Sequence, residues 1–290
     1  MNKKYDVAII GGGPAGLSAA LTLARGNRSV LVFDDNQPRN APAAHMMNFP
    51  SRDGTPPDEF RLLIKADLKK YSKVEFKLER VKDIQKNREG FLLDEKIQVK
   101  KILLAHGVKD IFPEIPGMKE LFGKAIFHCP YCHGYEHTNE PMGMIGGKEY
   151  ADHMSVLLKG LSKDLVLFTN GAEVGQYPGI RVYTDKIDSF IYEGEKMKAV
   201  KLVTGEILER SYLFYRPDQQ LSSDLGVKLG CELTEMGHYK VSDIGLTTEP
   251  GVFAAGDDMT AMQSVIIACA AGSKAGAMMN YEILHEMEST

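Results

Sequence analysis

Short apolar runs alternate along the chain with stretches of helical spacing, and glycines punctuate the joins. "YDVAII" (5–10) has the pattern of a buried strand, "GGGPAG" follows it, and "LSAALTLARG" then places apolar residues on one helical face. "SVLVFDD" (29–35) is a second strand ending in acid, so the N-terminal part predicts a βαβ unit. Residues 36–57 are rich in Pro, Asn and small side chains and predict irregular structure. An amphipathic helix is predicted over 58–71, and an antiparallel meander closing on a buried strand over 74–106. The prolines of 111–118 mark a boundary.

The same order then returns. "PMGMIGG" (141–147) is strand-like, "KEYADHMSVLLKGL" helix-like, and "DLVLFTNG" (164–171) strand-like again. Two such units far apart imply two related nucleotide-binding folds rather than a short-period array. "GVFAAGDD" (251–258) is another strand ending in acid, and 263–284 predicts a long helix rich in small residues.

Composition narrows the class. The 290 residues are 43% hydrophobic and 26% charged, which suits one large domain or two ordinary ones. A net charge of −4 with interspersed signs leaves no basic footprint for nucleic acid or an anionic membrane. The apolar run Val7–Ile10 is too short for a signal peptide, and no stretch approaches the ~18–20 apolar residues of a membrane span. A soluble cytoplasmic protein is the expectation. Four cysteines are too few for a disulfide-stapled scaffold, and the isolated Cys231 and Cys269 read as packing residues.

Two motifs carry candidate chemistry. "GGGPAG" fits G-x-G-x-x-G through Gly11, Gly13 and Gly16, with Pro14 and Ala15 opening the helix. The glycines allow a tight turn, close approach of a pyrophosphate, and close helix–strand packing, while the helix N-terminus favours the anion. Asp34 ends the next strand, where a carboxylate takes ribose hydroxyls. The second motif, "HCPYCHGYEH" (128–137), holds Cys129 and Cys132 at C-x-x-C spacing with His133 beside them. A redox disulfide with a proton-transfer histidine fits this spacing better than zinc, whose structural sites usually draw on two separated pairs. A zinc site and an inert pair stand as alternatives. His128 and His137 read as surface or supporting residues.

"IIGGGPAG", "CPYC", the second βαβ unit and "GVFAAGD", in this order over nearly the whole chain, together resemble the low-molecular-weight thioredoxin reductases. "PRNAPAAHMMNFPSRDGTPP" (38–57) and "CPYCHGYE" (129–136) are similar to the branch that includes the dithiol oxidases of gliotoxin- and holomycin-type disulfides. The resemblance implies an α/β fold of two Rossmann-like, three-layer ββα dinucleotide-binding domains, the second inserted into the first. Residues 1–113 and 244–290 would form an FAD domain, and 114–243 an NAD(P)H-like domain carrying the cysteines. It implies Cys132 as the flavin-facing thiol and Cys129 as the interchange thiol; His133, where ordinary thioredoxin reductases carry Asp, is suited to move the proton because imidazole titrates near neutral pH. FAD contacts would fall on Gly11, Gly13, Pro14, Ala15, Gly16, Asp34, Asn40, His45, Gly107, Gly256, Asp257, Gln263 and Ser264. The helix from about Gln263 would aim its N-terminus at the flavin ring. Partners would be a thioredoxin-like protein or a small-molecule disulfide or dithiol, and the assembly a homodimer.

One departure bears on the electron source. In "GGKEYA" (146–151) Lys148 replaces the second required glycine, and "FTNGAE" (168–173) lacks the basic stretch that takes a 2′-phosphate in NADPH-using relatives. NADPH or NADH, a ferredoxin, or a dithiol substrate passing electrons through FAD to oxygen are the three routes left open. A zinc-stabilised flavin-binding protein without thiol chemistry is the non-redox alternative.

Overall fold

The computed structural model describes residues 3–288. Strand β1 (Lys3–Ile10) leads through the glycine loop into helix α1 (Pro14–Arg25) and strand β2 (Val30–Phe33). Helix α2 (Pro57–Leu68) and strands β3 (Val74–Lys77), β4 (Ile84–Asn87), β5 (Gly90–Leu93) and β6 (Ile97–Leu104) follow. Strands β1, β2, β3 and β6 pair in parallel, whereas β4, β5 and β6 pair antiparallel. The predicted meander is therefore confined to 84–104. β3 instead extends the parallel sheet beside β2, because α2 supplies the crossover that a parallel pair requires.

Strand β7 (Val108–Ile111) carries the chain into a second compact unit. There α3 (Met118–Leu121), β8 (Ile126–Phe127), the one-turn helix α4 (Pro130–His133), β9 (Met142–Ile145), α5 (Lys148–Lys159) and β10 (Leu165–Phe168) precede β11 (Arg181–Tyr183). Three antiparallel strands, β12 (Ile187–Glu193), β13 (Lys196–Leu202) and β14 (Ile207–Glu209), are followed by β15 (Tyr212–Tyr215). The parallel sheet has the order β11-β10-β9-β15-β8. Val166, Phe168 and Leu213 face Phe190, Val200 and Leu202 of the antiparallel layer; Met142, Met144 and Leu167 face Ala151, Met154 and Leu158 of α5. This is a ββα three-layer unit, built because alternate residues of a doubly covered strand face opposite layers.

Strand β16 (Asp218–Leu221), paired with β7, returns the chain to the first unit, where α6 (Leu225–Lys228), β17 (Val252–Ala254) and the long α7 (Val265–Glu288) complete it. β17 adds to the sheet beside β6. Val7, Ile9 and Leu103 pack on α1 and α7; Ala8, Ile10, Ile102 and Leu104 pack on the opposite layer with Leu225, Cys231 and Tyr239. Those last three contacts place 219–243 in the first unit, whereas the sequence expectation returned the chain only at 244. Among the described residues the compact units are 3–41, 57–109 and 219–288 for the first, and 42–56 with 110–218 for the second. Apolar burial against β6 sets the return point. Among the described residues no helix is long and apolar enough to cross a membrane.

Candidate functional site

The glycine loop is shaped for an anion. Gly11 adopts φ +118°, and a Cβ there would press on the Ala105 carbonyl and lie 2.9 Å from His106 Cα. A Cβ on Gly16 would meet the Gly11 carbonyl oxygen, so α1 rests directly on the loop. In front of Gly13 the space is open, with nothing within 4 Å of a built Cβ. Gly13 is the N-cap of α1, no side chain caps the helix, and Pro14 opens its first turn with Ala15 behind it. Free N–H groups and the helix dipole thus face an unobstructed approach, the arrangement that binds a pyrophosphate.

Asp34 lies at the end of β2, against Gly12. Its Oδ2 accepts from Arg61 Nη2 and Lys65 Nζ, both at 2.9 Å, and Oδ1 accepts from the Asn36 N–H at 3.0 Å. Burial pushes the carboxyl up, but Lys65, the Asn36 N–H and Arg61 outweigh it and hold Asp34 below the usual carboxylate range. Arg61, only 5% exposed, also reaches the Gly12 carbonyl at 3.4 Å and Asn36 Oδ1 at 3.0 Å. Neither cation was expected from the sequence. The available signal was their i, i+4 spacing on the face of α2 that also carries Leu68.

Two adjacent acids after β17 take different places. Asp257 pairs with Arg39 at 3.0 Å, and Arg39 Nη1 also donates to Gln263 Oε1 at 2.6 Å. Gln263 and Gln219 exchange amide hydrogen bonds of 2.8 and 2.9 Å. Asp258 is fully buried and accepts the His106 and Gly107 N–H groups at 3.1 and 2.5 Å. Its burial raises the carboxyl, opposed by His106 and these backbone donors. Asp258 thereby clips the Gly107 turn to the Gly256–Asp257 turn and leaves Asp257 to the open side. The Ser264 hydroxyl accepts the Ile267 N–H at 3.4 Å, in the first turn of α7. Asn40 is half-buried in the first unit; His45 is exposed, in the segment 42–56 that groups with the second.

In the second unit Cys129 is the extended N-cap of α4, with Pro130 opening the turn. The Cys132 and His133 N–H groups both donate to the Cys129 carbonyl at 3.2 Å. The single turn brings the two Cα atoms to 5.3 Å, and the sulfurs are joined in a disulfide. Tyr131 and Tyr135 beside it are 70% and 82% exposed. His133 stacks on Phe127 at a 4.4 Å ring separation, and neither of its buried ring nitrogens has a hydrogen-bond partner among the described residues. His137 stacks on Tyr212 at 3.5 Å and His128 on Phe122 at 6.2 Å, so both brace the loop. Among the described residues no cluster of three or more His, Cys, Asp or Glu is arranged to hold a metal ion.

Burial lowers the His133 pKa to about 4, with Glu136 opposing and His137 assisting. The imidazole is neutral at neutral pH. Because the folded value lies below the unfolded one, stability is fully present above the unfolded pKa near 6.5 and falls as pH drops toward about 4. His133→Phe keeps the stack and removes this penalty. Urea unfolding followed by tyrosine fluorescence should show the wild type losing ~2 kcal/mol more than the variant between about pH 7.5 and about pH 4.5.

The second glycine turn differs from the first. Gly147 caps α5, but Ala172 and the Glu173 carbonyl lie 3.4 and 3.9 Å from a Cβ built on it. Lys148 Nζ is paired with Asp152 at 2.6 Å, and the Tyr177 hydroxyl donates to the same carboxylate at 2.8 Å. Asn170, after β10, uses its side-chain oxygen to accept the Ile187 N–H at 2.9 Å. The approach that is open at Gly13 is lined here by the protein's own groups.

Comparison with known proteins completes the picture. A family described as pyridine nucleotide-disulphide oxidoreductase matches residues 5–272. Thioredoxin reductase tcpT of Claviceps purpurea (strain 20.1) is 34% identical over 97% of this chain and 95% of its own. Thioredoxin reductase sirT of Leptosphaeria maculans is 32% identical over 97% of this chain and 94% of its own. The solved structure of TrxB from Bacillus anthracis superposes with a TM-score of 0.92 at 34% identity, covering 98% of this chain and 99% of that one.

Proposed function

The chain belongs to the pyridine nucleotide-disulphide oxidoreductase family and is thioredoxin reductase-like, and from that premise we propose that it is an FAD-dependent enzyme that moves electrons between its cofactor and an external disulfide or dithiol through Cys129 and Cys132. The carrying observation is the half-exposed disulfide at the start of α4, in a chain that also holds an open, uncapped phosphate loop.

FAD fits the first unit. The loop of Gly11, Gly13 and Gly16 with the first turn of α1 would take the pyrophosphate, and Asp34 the adenosine ribose. Asp257, with Gly107 and Gly256 on the turns around it, and the start of α7 at Gln263 and Ser264 would take the ribityl and ring end. When bound, FAD would supply the electron-transfer chemistry that links the cysteine pair to a donor or acceptor other than a thiol.

The reduced pair does the exchange. The Cys129 thiolate attacks the external disulfide R–S–S–R, forming Cys129–S–S–R and expelling one RS⁻. The Cys132 thiolate then attacks Cys129 Sγ, closing the internal disulfide and releasing the second RS⁻. Two electrons pass to the substrate, and two protons convert the leaving thiolates to thiols. The proton of the Cys132 thiol passes to water as the thiolate forms, because His133, with buried unpartnered ring nitrogens and a pKa lowered to about 4, is too weak a base to take it. An external dithiol drives the same steps in reverse.

The approach at Gly147, lined by Ala172 and the Glu173 carbonyl, and the pairing of Lys148 with Asp152 favour a second reading, in which reducing equivalents enter from a dithiol and leave through FAD to oxygen. Anaerobic titration of the holoprotein separates the two. Bleaching of flavin absorbance by a dithiol, but not by NADPH or NADH, is the result the second reading expects. Rapid bleaching by either pyridine nucleotide would discard the second reading and show that Lys148 is tolerated.

A further inference from the structure

The buried cations of α2 have no part in the exchange chemistry. Arg61 is almost fully enclosed, yet each of its three guanidinium nitrogens has a partner: Nε toward the Gly12 carbonyl, Nη1 toward Asp58, and Nη2 toward Asp34 and Asn36. Lys65, one turn later, places Nζ on the same oxygen of Asp34 that Arg61 uses. Guanidinium and ammonium thus meet at one carboxylate oxygen. Among the described residues, Asp34 Oδ1 accepts the Asn36 N–H.

We propose that Arg61 and Lys65 are positioning residues of the dinucleotide site, which lock Asp34 as a carboxylate with Oδ1 presented to the adenosine ribose and tie its strand end to the Gly12 carbonyl of the phosphate loop. This rests on the FAD reading above. A buried carboxylate needs compensating charge, and one oriented by two donors on Oδ2 keeps Oδ1 for a hydroxyl without reorganisation. Of the remaining charged groups nearby, Asp35 pairs with Arg80 and Lys77 of β3 with Glu79, while Asp58 pairs with Arg61 itself. Lys65 is the more informative residue because it is less buried than Arg61, so its removal is tolerated by the fold.

The test is a double-mutant cycle on FAD affinity, measured by quenching of flavin fluorescence as FAD is returned to flavin-stripped full-length protein. Lys65→Met should weaken binding about tenfold, whereas in an Asp34→Asn background the same change should matter less than about twofold. The acid limb of the affinity–pH profile should move to higher pH in Lys65→Met, because Asp34 loses the cation that lowers its pKa. Arg61→Lys keeps the charge but loses the fork, and should also weaken binding about tenfold. An equal loss in both backgrounds would mean that Lys65 touches the ligand or serves the fold at large, and overturns the proposal. So would unchanged affinity in Lys65→Met. Failure of the wild-type protein to take FAD removes the FAD reading itself, and the inference with it; binding in the wild type with a flat cycle removes only the inference.

Discussion

Cys132→Ser should stop turnover of an external disulfide after a single exchange and trap the substrate on the enzyme. With the pair reduced by dithionite and then offered a small aromatic disulfide, the wild type should release both thiolates. The variant should release one and gain the mass of the other as an adduct on Cys129. Multiple turnover should fall by about a thousandfold or more, since no second thiolate can resolve the mixed disulfide. Cys129→Ser should release almost nothing and form no adduct. The reverse pattern, with an adduct on Cys132, would interchange the two roles. No change in either variant would leave the pair structural and sink the redox reading. The outcome depends on α4, whose single turn holds the two Cα atoms at 5.3 Å.

The largest effect on stability is expected far from the cysteines, where α7 crosses α1. A Cβ on Gly272 would lie 2.7 Å from the Ala15 carbonyl carbon and 2.9 Å from its Cα, and closer still to the carbonyl oxygen. These are backbone atoms of the first turn of α1, so no rotamer change relieves the overlap. Gly272→Ala should cost about 3 kcal/mol or more through forced separation of the helices. It should also weaken FAD retention, because the displaced turn is the one that follows Gly13. Thermal unfolding and flavin content measured on the same preparation check both. Ala277→Ser, on the exposed side of α7, should change neither and serves as the control.

Much of this was legible from local spacing. The strand–glycine–helix signals at 5–25 and 142–159 appear as β1–α1 and β9–α5, and the C-x-x-C pair appears as a closed disulfide. What local spacing could not give is pairing between remote segments. β3 read as part of a meander because a short exposed strand looks alike in either direction; its parallel pairing with β2 follows from the α2 crossover. Residues 219–243 carry no strong periodicity, yet Leu225, Cys231 and Tyr239 fill the layer under β6.

Sequence by itself determined the α/β class, the two glycine turns, the C-x-x-C pair and the Lys148 departure in the second turn. Each depends on neighbouring residues, whose chemistry and backbone freedom are fixed by their order. Only the tertiary structure decided that Asp258 turns inward while Asp257 faces Arg39, and that Asp34 is held by Arg61 and Lys65. It also decided that the His133 ring nitrogens are buried without a partner, which keeps the imidazole neutral. Ionisation and orientation are set by burial and charge brought together from distant parts of the chain, and a linear pattern carries no distance between them.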